Sequence, residues 1–296
     1  MWIAAQGDTL LILGISLSLL ITGAECMTYL SILGLFLLPP LLLLLMWVPR
    51  DIWRWVWRGE GSVNWEPYLY ILLNIALALI YTTPWDNYLV ATGVWWYDPN
   101  QVTGLTLGWV PIEEYIFFIL QTALTGLWAL AVHRSILREK PVIKQSARIR
   151  LWSSGLLAAG WTVSTALLLS DWQAGTYLTQ ILSWALIPII IQAAFGADIL
   201  LAYWRSLLLI IWIPTLYLWL LDAVALASGT WTIDPAQTTG LKLGAVPIEE
   251  MLFFLMTNVI IAFSMMLLCS PAGKERSRAY MEWLRLKLAG VSPSNR

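Results

Sequence analysis

Long apolar runs separated by short polar ones make up nearly the whole chain. A bilayer core of about 30 Å needs roughly 20 apolar residues in a helix. Seven stretches qualify: 28–48, 67–84, 111–132, 151–170, 177–196, 206–226 and 247–269. An eighth run, 9–24, is shorter and carries Gly14, Gly23 and several hydroxyl residues. Residues 1–8 hold Asp8 but no Lys or Arg, so the run reads as an extra helix rather than a signal peptide. The pattern predicts an all-α fold, a polytopic membrane bundle of seven to eight transmembrane helices.

Basic residues set the expected orientation. With eight spans, one side receives Arg50, Arg54, Arg58, Arg134, Arg138, Lys140, Lys144, Arg148, Arg150, Arg205 and the six basic residues after 270, while the other receives Lys242 alone. The basic side, with both termini, is expected to face the cytoplasm, its charges serving topology and lipid headgroup contact. Residues 276–289 are expected to form a short amphipathic helix on that surface, with Trp283 and Leu284 turned to the membrane.

Composition sharpens the class and removes several chemistries. The chain is 59% apolar and 12% charged, too poor in charge to cover a soluble globule, and its 20 Trp and 11 Tyr suit the headgroup boundary. His133 is the one histidine, and Cys26 and Cys269 lie far apart, so no metal-ligand cluster is visible and no metal is expected. There is no dinucleotide or nucleotide-phosphate glycine motif, hence no expected cofactor. A net charge of −1 gives no footprint for nucleic acid.

Residues 86–118 repeat as 222–254 at a gapless offset of 136. Asp86 corresponds to Asp222, Gly93 to Gly229, Trp95 to Trp231, and Pro111-Ile112-Glu113-Glu114 to Pro247-Ile248-Glu249-Glu250. A weaker match at an offset of 148 joins Tyr29, Leu30 and Pro40 to Tyr177, Leu178 and Pro188, the difference falling in the Trp- and Arg-rich loop after 48. Each half then has four helices. An even number gives two parallel repeats, related by an axis roughly along the membrane normal. The expected divisions are an extension over 1–26, repeats over 27–140 and 141–270, and a basic tail over 271–296.

The repeated acids carry the candidate chemistry. Pro111 suits the first turn of a helix, which puts Glu113 and Glu114 at its positive end. Four Glu at membrane depth cost on the order of 2.5–3.5 kcal/mol each on insertion scales, and such groups are functional by default. Consecutive helical residues diverge by about 100°, so one Glu of each pair should face the interior. Glu113 with Phe117 and Glu114 with Phe118 share helix stripes, as do Glu249 with Phe253 and Glu250 with Phe254. A carboxyl lodged against aromatic rings suits proton donation to an apolar substrate, with the rings stabilising a cation. The same rings also serve helix packing.

The doubled pattern Asp…Gly-x-Trp…Gly-x-x-x-Gly-x-x-Pro-x-Glu-Glu-x-x-Phe-Phe resembles the membrane-integral lycopene cyclase family over about residues 27–270. These carotenoid cyclases occur as paired small subunits, as fused halves, and joined to phytoene synthase in fungi. The resemblance implies a non-redox enzyme of the intramolecular lyase or isomerase type, free of cofactors. It would convert lycopene to gamma- and beta-carotene by protonating a terminal alkene, closing a six-membered ring on the cation and removing a ring proton. It further implies Glu113, Glu114, Glu249, Glu250, Asp86 and Asp222 as catalytic candidates, and Trp95, Trp96, Phe117, Phe118, Trp231, Phe253 and Phe254 as substrate contacts. Glu113→Gln and Glu249→Gln are each expected to abolish ring formation. The implied partners are lycopene or a related linear carotenoid and membrane lipids, with a second copy of the chain or other carotenoid enzymes as candidate neighbours.

The halves differ: Trp96-Tyr97 faces Thr232-Ile233, and Thr106 faces Lys242, which would pair with a carboxylate or snorkel. The first loop is the more aromatic, which favours it for cation stabilisation. Two other classes fit the motifs. A carotenoid hydratase would let water trap the same cation, and a secondary transporter also combines repeats with midplane carboxylates.

Overall fold

The computed structural model describes residues 27–59, 61–136, 143 and 145–288. Seven of its helices are long and apolar enough to cross a membrane. In chain order these are α1 (Tyr29–Trp47), α3 (Glu66–Ala91), α4 (Ile112–Ile136), α5 (Ala147–Leu168), α6 (Thr176–Ala202), α7 (Trp204–Ala227) and α8 (Ile248–Cys269). Two shorter helices, α2 (Arg50–Arg58) and α9 (Pro271–Leu288), lie at the basic ends of the spans. The protein is an all-α polytopic membrane bundle. The eighth run, 9–24, lies outside the described residues, as does the end of the predicted tail helix.

Two short helices correct the sequence reading. The Trp- and Arg-rich stretch after 48 is not a loop but α2, closed by Gly59 in the left-handed region at φ +64°. Its Arg50, Arg54 and Arg58 recur every fourth residue and so share one face. The tail helix begins earlier than expected, at Pro271, with the Gly273 N–H donating to Ser270 Oγ at 3.2 Å. Trp283 and Leu284 are exposed on it.

The repeat is visible as a two-fold axis. Strands β1 (Trp95–Tyr97) and β4 (Trp231–Ile233) pair antiparallel, with Trp96 opposite Thr232 at the centre, the repeat-equivalent residues. The hydrogen bonds around this ribbon come in equivalent pairs: Asp98 N–H to Thr230 O at 3.1 Å and Asp234 N–H to Val94 O at 2.8 Å. Deeper in the bundle, Gln121 on α4 donates to its own equivalent, Thr257 on α8, at 2.8 Å. The axis therefore passes through the ribbon and down between α4 and α8, parallel to the helices. That is the geometry of two parallel repeats, with α1, α3 and α4 equivalent to α6, α7 and α8. Burial agrees: α4 has 72% of its apolar window buried and α5 only 6%, so α4 is central and α5 peripheral.

Prolines in the spans are accommodated across the axis. Pro188 has no N–H to give Trp184 O, and the Tyr81 hydroxyl of α3 donates to that carbonyl at 2.8 Å. Pro40 likewise cannot serve Phe36 O, and the Tyr217 hydroxyl of α7 donates to it at 2.6 Å. The first helix adds a π-helical stretch over Leu33–Leu37, just before Pro39-Pro40.

On the basic side, Asp198 in α6 gathers three segments. It accepts from Arg150 of α5 at 2.8 Å and from Arg276 of α9 at 2.7 Å and 2.9 Å. The Ser146 N–H donates to it at 2.9 Å. Buried charge needs such pairing, and here it fastens the tail helix to the bundle.

Candidate active site

The ribbon crosses the bundle at the end where α4 and α8 begin, and a cavity lies beneath it. Strand alternation sends Trp95 and Tyr97 of β1, and Trp231 and Ile233 of β4, down to line it. Trp96 corrects the expectation made for it. It points the other way, lies 47% exposed and does not line the cavity, because neighbouring strand residues face opposite sides.

Each acidic pair is presented by the same local device. Strands β2 (Thr106–Leu107) and β3 (Val110–Pro111) form a hairpin that runs straight into α4, and β5 (Lys242–Leu243) and β6 (Val246–Pro247) do the same for α8. Gly108 turns the first hairpin at φ +73°, and a Cβ there would lie 2.1 Å from Asn87 Oδ1, which accepts from the Trp109 N–H at 2.7 Å. Pro111 and Pro247 are thus the last strand residues rather than the first helical ones, and Ile112 N–H and Ile248 N–H bond back to Leu105 O and Leu241 O at 2.8 Å and 3.0 Å. Lys242 is exposed on its hairpin, away from the cavity.

The two Glu of each motif then diverge. Glu113 accepts from the Thr103 N–H at 2.6 Å, and Glu249 from the N–H and hydroxyl of Thr239, both at 2.7 Å. Both are wholly buried against their own loops and neither lines the cavity. Glu114 and Glu250 do line it. Glu114 Oε2 accepts from Tyr29 at 2.5 Å and from Tyr97 at 3.1 Å, while Glu250 accepts a short bond from Tyr177. Tyr29 and Tyr177 are repeat equivalents, so one phenol–carboxylate contact is built twice.

The aspartates are less symmetric. Asp222 accepts from the Trp231 indole at 3.1 Å and does not line the cavity. Asp86 does, and neither of its buried oxygens has a partner among the described residues. The Trp95 indole donates instead to the Tyr97 hydroxyl at 3.1 Å, a phenol whose counterpart is Ile233. Burial first, then the facing Glu114 carboxylate, holds Tyr97 well above the usual phenol range, so it remains a donor.

Phe117, Phe118, Phe253 and Phe254 all line the cavity. Phe117 meets Phe254 edge-on at 6.1 Å across the axis, and Phe253 meets Phe254 at 5.3 Å. The cavity and its opening hold about 470 Å³ of unfilled space. Sequence reasoning missed Tyr29, Tyr177, Tyr97 and Trp85 as cavity residues; the repeat of Tyr29 as Tyr177 was the available signal for the first two. Among the described residues no group of His, Cys, Asp and Glu is arranged to hold a metal ion.

Fold and site together define a polytopic membrane protein whose two like halves enclose one cavity of carboxyls and aromatic rings. The family model for lycopene cyclase matches residues 26–129 and 174–269, and the chain belongs to that family. Every cavity-lining residue falls inside the matched segments, and α5 lies outside them. The chain is 40% identical over 193 residues to a lycopene beta-cyclase of Halobacterium salinarum, covering 65% of this chain and 79% of that protein. It is 38% identical over 200 residues to a bifunctional lycopene cyclase/phytoene synthase of Colletotrichum graminicola, and 35% over 220 residues to one of Aspergillus oryzae. These matches cover 65% and 71% of this chain, and they span only 34% and 35% of the fungal proteins. No solved structure gives a significant match.

Proposed function

We propose that this protein closes beta-type rings on the ends of linear lycopene by acid-initiated cyclisation, with no net oxidation or reduction. The observation that carries the reading is the convergence of Asp86, Glu114 and Glu250 on one cavity walled by aromatic rings. A proton from a cavity carboxyl adds to the terminal alkene and leaves a tertiary cation. The next alkene closes the six-membered ring, and a second carboxylate removes a ring proton, so the proton count is restored. Asp86 suits the donor role because no neighbouring N–H or O–H competes for its oxygens. Glu114 suits the base, since Tyr29 and Tyr97 orient its carboxylate. Trp95, Trp231 and the four Phe rings supply faces for the cation.

Glu113 and Glu249 then hold the loops that position their neighbours, and Asp222 orients Trp231. The basic ends of the spans face the cytoplasm, which puts the cavity near the opposite surface. Expression in lycopene-accumulating cells tests the reading. Chromatography and mass spectrometry of the pigments should show cyclic products of unchanged mass. A product heavier by one water, or lycopene left intact beside abundant protein, would refute it.

A further inference from the structure

A second space adjoins the acid cavity and has no part in the account so far. It is a groove of about 980 Å³ of unfilled space walled by α3, α4, α6 and α8. Its rim residues Leu77, Ile187 and Ile191 are 52%, 39% and 64% exposed, on the faces of α3 and α6 that meet lipid. Phe118 and Phe253 line both spaces, so the groove runs on into the cavity.

We infer that this groove between α3 and α6 seats the polyene chain while one end reacts in the acid cavity. The inference rests on the cyclase reading and names where that substrate lies. Along α8 the groove extends from Phe253 to Ser264, eleven residues or about 16 Å at helical rise, which suits a long chain rather than a compact molecule. Its upper wall is a run of flat rings. Tyr81 stacks on Trp184 at 5.7 Å, Trp184 on Trp85 at 4.6 Å, and Trp85 on Phe253 at 5.8 Å, with interplanar angles of 21°, 18° and 11°. Stacked on one another, these rings make a rigid apolar wall that leads from the groove to Trp85 and Phe253 in the acid cavity. Of the polar side chains in the wall, Gln121 donates to Thr257 and Gln192 donates to Ile260 O, while Gln192 Oε1 and the Trp184 indole N–H have no partner among the described residues.

The two-fold axis supplies an internal comparison. The position equivalent to Ser264 is Trp128, whose indole donates to Leu209 O of α7 at 3.0 Å and so lies across the corresponding space. Leu218 and Leu221, the equivalents of Thr82 and Trp85, are fully buried on that side. The groove is a departure from the repeat rather than a consequence of it.

Ser264→Trp copies the blocked half onto the open one. In lycopene-accumulating cells, at matched protein level, it should cut ring formation at least tenfold. Ile191→Trp, on the lipid-facing rim, should also cut it. Leu43→Trp, at the repeat-equivalent position on α1 and 67% exposed, should stay within twofold of the parent. If Ser264→Trp fails to accumulate, Ile191→Trp against Leu43→Trp decides. Rings from the parent and equally from both groove variants would overturn the inference while leaving the cyclase reading intact, with membrane lipid as the groove's occupant. Should the parent itself form no ring, lycopene added to purified protein still tests the groove. A shift of its absorption bands that Ser264→Trp abolishes supports the seat, and a shift unchanged by Ser264→Trp and Ile191→Trp refutes it.

Discussion

The side chains that decide this site work by giving or withholding one hydrogen bond. Glu113 and Glu114 are adjacent, yet one ties down Thr103 and the other meets two phenols in the cavity. Their sequence showed that the two must diverge but not which turned inward, because a 100° step has no absolute phase until the helix is docked. In the proposed mechanism the emphasis therefore moves from Glu113 and Glu249 to Glu114 and Glu250. Glu114→Gln, Glu250→Gln and Asp86→Asn should each lower ring formation by about 10²–10⁴-fold, the usual scale for losing a general acid or base. Glu113→Gln keeps a carbonyl acceptor for Thr103 and should lower it far less. Pigment ratios at matched protein level check both. The proline-orphaned carbonyls predict a stability effect instead. Tyr81→Phe and Tyr217→Phe should each cost about 1–3 kcal/mol by leaving a buried acceptor unpaired, read as a lower unfolding temperature in detergent.

At the scale of the element, the spans were legible because each is an apolar run of bilayer length, and their order and number follow from that alone. Helix α2 was not read from the sequence. Its Arg50, Arg54 and Arg58 share a face, but a polar, Trp-rich stretch between spans reads as a loop when judged by hydropathy alone. It is held by a clamp: Asp51 accepts from Tyr68 at 2.8 Å and from Arg134 at 3.4 Å, and Arg134 also reaches Val48 O and Tyr68. Partial burial works against the Asp51 charge, but the Tyr68 hydroxyl and Arg134 outweigh it and hold Asp51 below the usual carboxylate range. A lowered folded value stabilises the folded state fully above the unfolded pKa, about 3.9, and the contribution fades as pH falls through the folded one. Acidification below about pH 4 should therefore release α2 before the spans. Backbone hydrogen exchange over residues 50–58 should rise first, and Asp51→Asn should remove that pH dependence.

Across the whole molecule, the repeat in the sequence announced two parallel halves, and the axis through Trp96–Thr232 and Gln121–Thr257 has that form. The β1–β4 ribbon was not foreseeable, since its strands lie 136 residues apart and three residues each carry little strand signal. Nor was the sharing of one cavity, which follows from that ribbon and from the close approach of α4 and α8. The consequence is that the cavity is walled by both halves and closed by neither alone. Glu114, Asp86, Tyr29 and Tyr97 come from the first, Glu250, Tyr177 and Trp231 from the second. Among the described residues none between Phe118 and Tyr177 lines the cavity, so cutting the chain between α4 and α5 should matter little if the halves can find each other. Fragments 1–140 and 141–296, produced together in lycopene-accumulating cells, should restore ring formation, and either alone should give none. Their association should depend on the axis contacts: replacing Thr257 with Val removes the acceptor for Gln121 and should weaken co-purification of the fragments more than it affects the intact chain. Activity from one fragment alone would mean that a half-site suffices, and the shared cavity would lose its role.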